Sequence, residues 1–207
     1  NVLGSDRKML KTRSGTTIKL VELLDEAVER GVAQVREKSA ELSSDEQLSV
    51  GRMIGIGAVK YADLSTDRIK DYVFDWDRML SFDGNTAPYL QYAHARIRSI
   101  FRRAEIDPAE LRGIRPSLDE PQERALALRL LGFDAAVNET IERYIPHRLC
   151  TYLFDLAQDF TAFYEACSVL KASTDELRAS RLALCDLTAR ILERGLGLLG
   201  IECPDRM

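Results

Sequence analysis

Gly84-Asn-Thr-Ala-Pro-Tyr-Leu-Gln-Tyr-Ala-His-Ala-Arg-Ile-Arg-Ser-Ile-Phe-Arg-Arg-Ala-Glu105 is the stretch on which the fold turns. Leu90, Ala93, Ile97, Ile100 and Phe101 recur at three- and four-residue steps, so the spacing predicts a helix over 87–105 with one apolar stripe for a core. Tyr89, Tyr92, Arg96 and Arg103 stand three, four and seven residues apart and share a different face. Asp83-Gly84-Asn85, just upstream, reads as a turn and sets an expected domain boundary, with units over 1–83 and 84–207.

Moving toward the C-terminus, the helical signature does not break. Pro108 and Pro116 punctuate a loop. Ser117-Leu118-Asp119-Glu120 has the capping-box pattern and predicts a helix that Gly132 ends. A further helix is expected over 133–144, and Pro146 opens a long one to about Leu170. Ser173-Thr174-Asp175-Glu176 is another capping box, for a last helix that reaches Leu199 and stops at Gly200, with Pro204 beyond. This is the pattern of an all-helical bundle of about 120 residues.

Toward the N-terminus, residues 1–15 are polar, carry Gly4 and Gly15, and read as a loop. Ile18, Leu20, Val21, Leu24, Val28, Val32 and Val35 predict a helix over about 17–40. Ser43-Ser44-Asp45-Glu46 predicts the start of a second, running to Leu64. Gly51, Gly55 and Gly57 inside it are costly for a helix unless another backbone comes close. Residues 71–76, Asp-Tyr-Val-Phe-Asp-Trp, alternate as one short strand would. The fold class is therefore mainly α.

Composition bounds the function. The chain has 207 residues, 45% hydrophobic and 30% charged, with a net charge of −4; this is an ordinary soluble globular balance. It opens at Asn1 rather than Met, which points to a piece of a longer protein. No apolar run approaches the ~18 residues a membrane span needs, and no signal-peptide pattern is present. Cys150, Cys167, Cys185 and Cys203 lie far apart with no C-x-x-C pair, so they are expected to be buried, reduced thiols of a cytoplasmic protein rather than metal ligands. His94 and His147 lack metal-ligand spacing and fit surface or capping roles; Asp75 and Asp77 beside Trp76 fit turn or salt-bridge roles. Nothing in the spacing supports a hydrolase.

Two basic clusters run against the acidic balance: Arg7, Lys8, Lys11, Arg13 and Lys19, and Arg96, Arg98, Arg102 and Arg103. Such local patches matter more than net charge, because screening makes phosphate contacts short-ranged. Tyrosine rings and guanidinium planes are what unstacked bases pack on, and arginine also pairs with phosphate. The Tyr89–Tyr92–Arg96–Arg103 face is thus a candidate RNA surface, the alternative being a solvated face with tyrosines edging into the core. Lys8, Lys11, Thr12, Arg13, Ser14 and Gly15 precede a helix start and could hold an anion; the alternative is a solvated charge run.

Gly84-Asn-Thr-Ala-Pro-Tyr-Leu-Gln-Tyr92 with Ala93, His94 and Arg96 resembles the start of the anticodon-binding domain of the arginine–tRNA ligases, which are class I aminoacyl-tRNA synthetases. Gly55-Ile-Gly-Ala-Val-Lys-Tyr-Ala-Asp-Leu64 and Asp71-Tyr-Val-Phe-Asp-Trp76 resemble that family too. Arg124-Ala-Leu-Ala-Leu-Arg129 is similar to the D-A-L-R pattern that names the domain, and the ending matches through Ser180-Arg181-Leu182, Gly195, Leu199-Gly200-Ile201 and Arg206-Met207.

The resemblance implies a helical DALR domain over 84–207, preceded by the mostly helical tail of a catalytic domain. It implies a parent enzyme that activates arginine with ATP and Mg2+ and transfers it to arginine tRNA. The family's His-x-Gly-His motif is absent, since the chain has only His94 and His147. This chain alone is therefore expected to be inactive and to hold no cofactor. Lys8-Met-Leu-Lys11-Thr12-Arg13-Ser14-Gly15 resembles the family's Lys-Met-Ser-Lys-Ser loop, which implies that Lys8, Lys11, Thr12 and Arg13 face ATP phosphates in the parent enzyme, with either lysine as the catalytic one. The same resemblance implies anticodon contacts at Tyr89, Tyr92, Arg96, Tyr164 and Met207, with Ser168 where some relatives carry a second aromatic residue. The expected partner is arginine tRNA, without DNA, membrane or metal. A monomer is expected, the alternative being a dimer through exposed surface of 1–83. Competing readings are a stand-alone helical RNA-binding module, against which residues 1–82 weigh, and an interaction scaffold, against which the tyrosine–arginine face weighs.

Overall fold

The computed structural model describes residues 2–3 and 19–207. The elements are β1 (Val2–Leu3), α1 (Leu20–Lys38), α2 (Ser44–Leu64), β2 (Tyr72–Val73), α3 (Trp76–Met79), α4 (Ala87–Ala104), a 3-10 turn over Pro108–Leu111, α5 (Pro121–Leu131), α6 (Phe133–Arg143), α7 (His147–Ala166) and α8 (Asp175–Leu198). The fold is mainly α. Its described sheet is a two-residue parallel pair with Val2 opposite Tyr72 and Leu3 opposite Val73.

Helices α1 and α2 form a hairpin with very close backbones. A methyl group on Gly55 would lie 2.1 Å from the Ala27 carbonyl oxygen, and one on Gly31 would lie 2.2 Å from that of Gly51. The glycines therefore offset their poor helix propensity by letting the two helices meet. Ser43 caps α2 as its sequence predicts: its hydroxyl accepts the Glu46 N–H, and the Glu46 carboxylate accepts the Ser43 N–H.

The expected strand over 71–76 is shorter than its pattern suggests. Only Tyr72 and Val73 pair, because Asp75 accepts the Arg78 N–H and starts α3. Asp75 is thus a helix cap, within the turn role its sequence suggests.

From α4 on, a single core joins α4, α5, α7 and α8. Leu90, Ile97, Leu126, Leu153, Leu156 and Phe160 are all fully buried within it. Truncating one such side chain to alanine typically costs about 2–5 kcal/mol. Tyr61 of α2 reaches into the same core. Its hydroxyl donates to the Cys150 carbonyl at 2.9 Å and meets the Asn85 side-chain amide at 2.6 Å, tying α2, the 83–85 turn and α7 together.

Two capping assignments shift. For α5 the box glutamate is Glu123, not Glu120: its Oε2 accepts the N–H groups of both Asp119 and Glu120. Ser117 instead donates its N–H to Ser180 of α8. For α8 the cap is Thr174, whose hydroxyl accepts the Leu177 N–H, rather than Ser173. In each case the sequence pattern fits two registers, and a tertiary partner or the helix start decides between them.

Glu123 is fully buried against Arg181, with Nε 2.7 Å from Oε1, and Arg181 also donates to the Ser168 carbonyl. Burial pushes the Glu123 carboxyl up. The Glu120 N–H, the Arg181 guanidinium and the Asp119 N–H outweigh that and hold it below its ordinary value.

Candidate nucleic-acid interface

Helix α4 organises the site. Thr86 caps it, accepting the Tyr89 N–H while donating its own hydroxyl hydrogen to the Ser81 carbonyl at 2.6 Å. Pro88 sits in the first turn, and Glu105 ends the helix in the left-handed region at φ 54°. The cap fixes the register, and the register sorts the side chains into three stripes.

The first stripe, Leu90, Ala93, Ile97, Ile100 and Phe101, is buried as its spacing predicts. The second carries the tyrosines. Tyr89 is half-buried, tilted against Phe154 of α7 at 5.6 Å between centroids. Tyr92 keeps 46% of its area exposed and meets Phe82 edge-on at 6.2 Å. Lys38 of α1 places its ammonium 4.1 Å from the Phe82 ring. Arg96 lays its guanidinium 4.6 Å over the ring of Tyr164, which stacks on Phe160 at 6.0 Å and 29°. Arg103 is exposed at the far end of the stripe. Tyr89 and Arg96 of α4 therefore both meet α7, one through Phe154 and one through Tyr164.

The third stripe is one that sequence reasoning missed. Gln91, His94, Arg98 and Arg102 hold the extended segment that follows α8. Gln91 donates to the carbonyls of Met53 and Glu202, at 3.1 and 2.7 Å. His94 Nδ1 donates to the Pro204 carbonyl at 3.1 Å, and its Nε2 accepts from Arg98. Arg98 pairs with Glu193 at 3.1 Å and Asp205 at 3.5 Å, while Arg102 donates to the Asp205 carbonyl. Arg206 pairs with Glu46 of α2, and Met207 packs, half-buried, against the apolar cluster that α2 shares with Met79 and Leu80.

Two sequence readings change as a result. The cluster Arg96, Arg98, Arg102 and Arg103 is not one phosphate patch, because Arg98 and Arg102 are committed to the C-terminal segment. His94 is not a surface residue but a buried one, and burial holds its pKa below the ordinary value. The i, i+3, i+7, i+11 spacing of the stripe is visible in the sequence, yet its partner lies about a hundred residues away, beyond the reach of any local pattern.

Lys8, Lys11, Thr12 and Arg13 lie outside the described residues. Among the described residues no group of three His, Cys, Asp or Glu side chains could hold a metal. All four cysteines are free, and burial pushes the thiols of Cys150 and Cys203 up to about 12. No helix among the described residues is long and apolar enough to cross a membrane.

Residues 90–207, more than half of the chain, match the family model of the DALR anticodon binding domain. The chain belongs to the DALR anticodon-binding family. Ahead of that DALR region, residues 1–76 match the model of the catalytic domain of class I tRNA synthetases (R). The whole chain is 59% identical to an arginine–tRNA ligase of Thermobifida fusca and covers 36% of that protein. It superimposes on the arginyl-tRNA synthetase of Thermus thermophilus with a TM-score of 0.85 and 38% identity, covering all of this chain and 34% of that one. On the Plasmodium falciparum arginyl-tRNA synthetase the TM-score is 0.83 at 32% identity, over 92% of this chain and 34% of that one. The chain thus spans about a third of the length of these relatives. Tyr92, Arg96 and Tyr164 lie within the matched DALR region, and Tyr89 stands one residue ahead of it.

Proposed function

We propose that this chain reads the anticodon stem-loop of arginine tRNA as part of an arginine–tRNA ligase. The observation that carries the reading is the α4 face: Tyr89, Tyr92 and Arg96 stand on one stripe of a DALR helix, and Tyr164 of α7 joins them through Arg96. Bases of the opened loop stack on Tyr89, Tyr92 and Tyr164, Arg96 holds phosphate or a base edge, and Met207 lies alongside. Each stacked base contributes about 1–3 kcal/mol.

The parent enzyme attaches arginine to its tRNA using ATP and Mg2+, and is cytoplasmic. Its Lys8, Lys11, Thr12 and Arg13 face the ATP phosphates, with Lys8 or Lys11 stabilising the departing pyrophosphate. In this reading residues 1–83 are the end of the catalytic domain and 84–207 the anticodon-binding domain, and the chain by itself forms no arginyl-adenylate. It acts as a monomer on RNA, not DNA.

The test is fluorescence anisotropy with arginine tRNA and a non-cognate tRNA across a salt series. Preferential binding that weakens as salt rises supports the reading, because phosphate contacts release counterions. A well-folded chain that binds neither RNA, or both alike, refutes it.

A further inference from the structure

We propose that Arg96 is a displaceable cover on the Tyr164 ring, exchanged for a base when RNA binds. This deepens the reading of the α4 face as an RNA surface and rests on it.

The two platforms are prepared differently. The Tyr92 ring meets its neighbour Phe82 edge-on, and among the described residues no cation lies over it. The Tyr164 ring is anchored from within α7, stacked near-parallel on Phe160, which is fully buried and cannot yield. The ring also carries the Arg96 guanidinium, 4.6 Å from its centre. That guanidinium sits in the position an incoming planar base would need.

Arg96 is also the arginine best able to leave. Arg98 and Arg102, on the same helix, are held by Glu193 and Asp205. Among the described residues no carboxylate pairs with Arg96. What holds it is a cation–π contact at a half-exposed site, of the kind that shifts an equilibrium about two- to fivefold. A base stacked on a tyrosine shifts binding by about five- to 150-fold. The exchange therefore runs toward RNA, and the released guanidinium keeps its charge for phosphate. Before RNA arrives, the cation shields an aromatic face from water. Tyr92 is the first platform to engage and Tyr164 the second.

The exchange has a thermodynamic signature. Wild-type binding includes the loss of one Arg96–Tyr164 contact. Removing either partner removes that loss, so each single variant appears milder than its own contact with RNA warrants. The double variant recovers the loss only once. Affinity for arginine tRNA is measured for the unmodified chain, Arg96→Met, Tyr164→Leu and the double variant, with a thermal melt of each.

The expected result is that both singles weaken binding and the double weakens it more than the product of the singles, by about two- to fivefold. A double loss equal to or smaller than that product overturns the exchange, because the guanidinium then stays on the ring in the complex, while the RNA-surface reading stands. Unchanged affinity in all three variants overturns both. If Tyr164→Leu melts early, the cycle is run with Tyr164→Met, which fills a similar volume and equally lacks the π face.

Discussion

Replacing Tyr92 separates the binding role of the α4 stripe from its packing role. A tyrosine that is fully buried removes about 150–250 Å² from water. Tyr92 keeps 46% of its area exposed, so about 100 Å² is buried, against Phe82 and the helix itself. At about 25 cal/mol per Å², that burial is worth about 2.5 kcal/mol, an upper estimate because unfolded chains already bury part of it. Tyr92→Ala loses most of this. Tyr92→Leu retains most of it and loses the edge contact to Phe82, costing about 1 kcal/mol. Against RNA the two variants are equivalent, since neither offers a π face, and each forfeits a stacked base worth about 1–3 kcal/mol. Anisotropy should therefore give both the same loss of about five- to 150-fold in affinity for arginine tRNA, while thermal melts rank them differently, with leucine close to the unmodified chain. The reasoning is refuted if Tyr92→Leu binds as tightly as the unmodified chain, or if affinity tracks melting temperature across the pair.

Other perturbations address the scaffold. Glu123→Ala leaves the Arg181 guanidinium and two backbone N–H groups without their buried acceptor, and is expected to cost about 3–5 kcal/mol in chemical denaturation; a loss below about 1 kcal/mol would contradict the keystone role of the pair. Gly55→Ala drives a methyl group to 2.1 Å from the Ala27 carbonyl oxygen, and is expected to cost about 3 kcal/mol, the upper end of the usual overpacking range; an unaltered melt would mean α1 and α2 separate freely. Stability should also fall with acid. His94 is held neutral by burial, so the unfolded chain binds its proton more readily; its contribution is complete above the ordinary histidine value of about 6.5 and declines as pH falls below that toward its lowered folded value. Glu123, also lowered, adds a second decline at more acidic pH, from the ordinary carboxylate value down through its own. Calorimetry on His94→Gln should remove the first decline and leave the second; a first decline that persists in that variant assigns it to another group.

How much of this was legible in the sequence depends on how local its cause is. The apolar and tyrosine stripes of α4 and the Ser43 cap are set by neighbours within one or two turns and are legible from spacing, whereas the α2 glycines announce a close backbone approach without naming α1 as the partner. Glu123 and Thr174 were misread by a few residues because consecutive Ser, Thr, Asp and Glu residues satisfy the capping pattern in more than one register. The strand over 71–76 shrank for a similar reason: Asp75 suits a helix cap as well as an alternating strand. Arg98, Arg102 and His94 were misread because their partners, Glu193, Pro204 and Asp205, are close only once α8 is in place. The pairing of Arg96 with Tyr164 is likewise tertiary: the sequence offers both residues but not their contact.

The central claim is that the α4 face opens and holds the anticodon loop. Chemical probing of arginine tRNA, nucleotide by nucleotide, with the unmodified chain and with Tyr92→Leu, tests it most directly. The account predicts altered reactivity confined to the anticodon stem-loop, with loop bases unstacked by the unmodified chain and restored to their free pattern by Tyr92→Leu. Changes centred on another arm of the tRNA, or an anticodon-loop pattern indifferent to Tyr92, would contradict it.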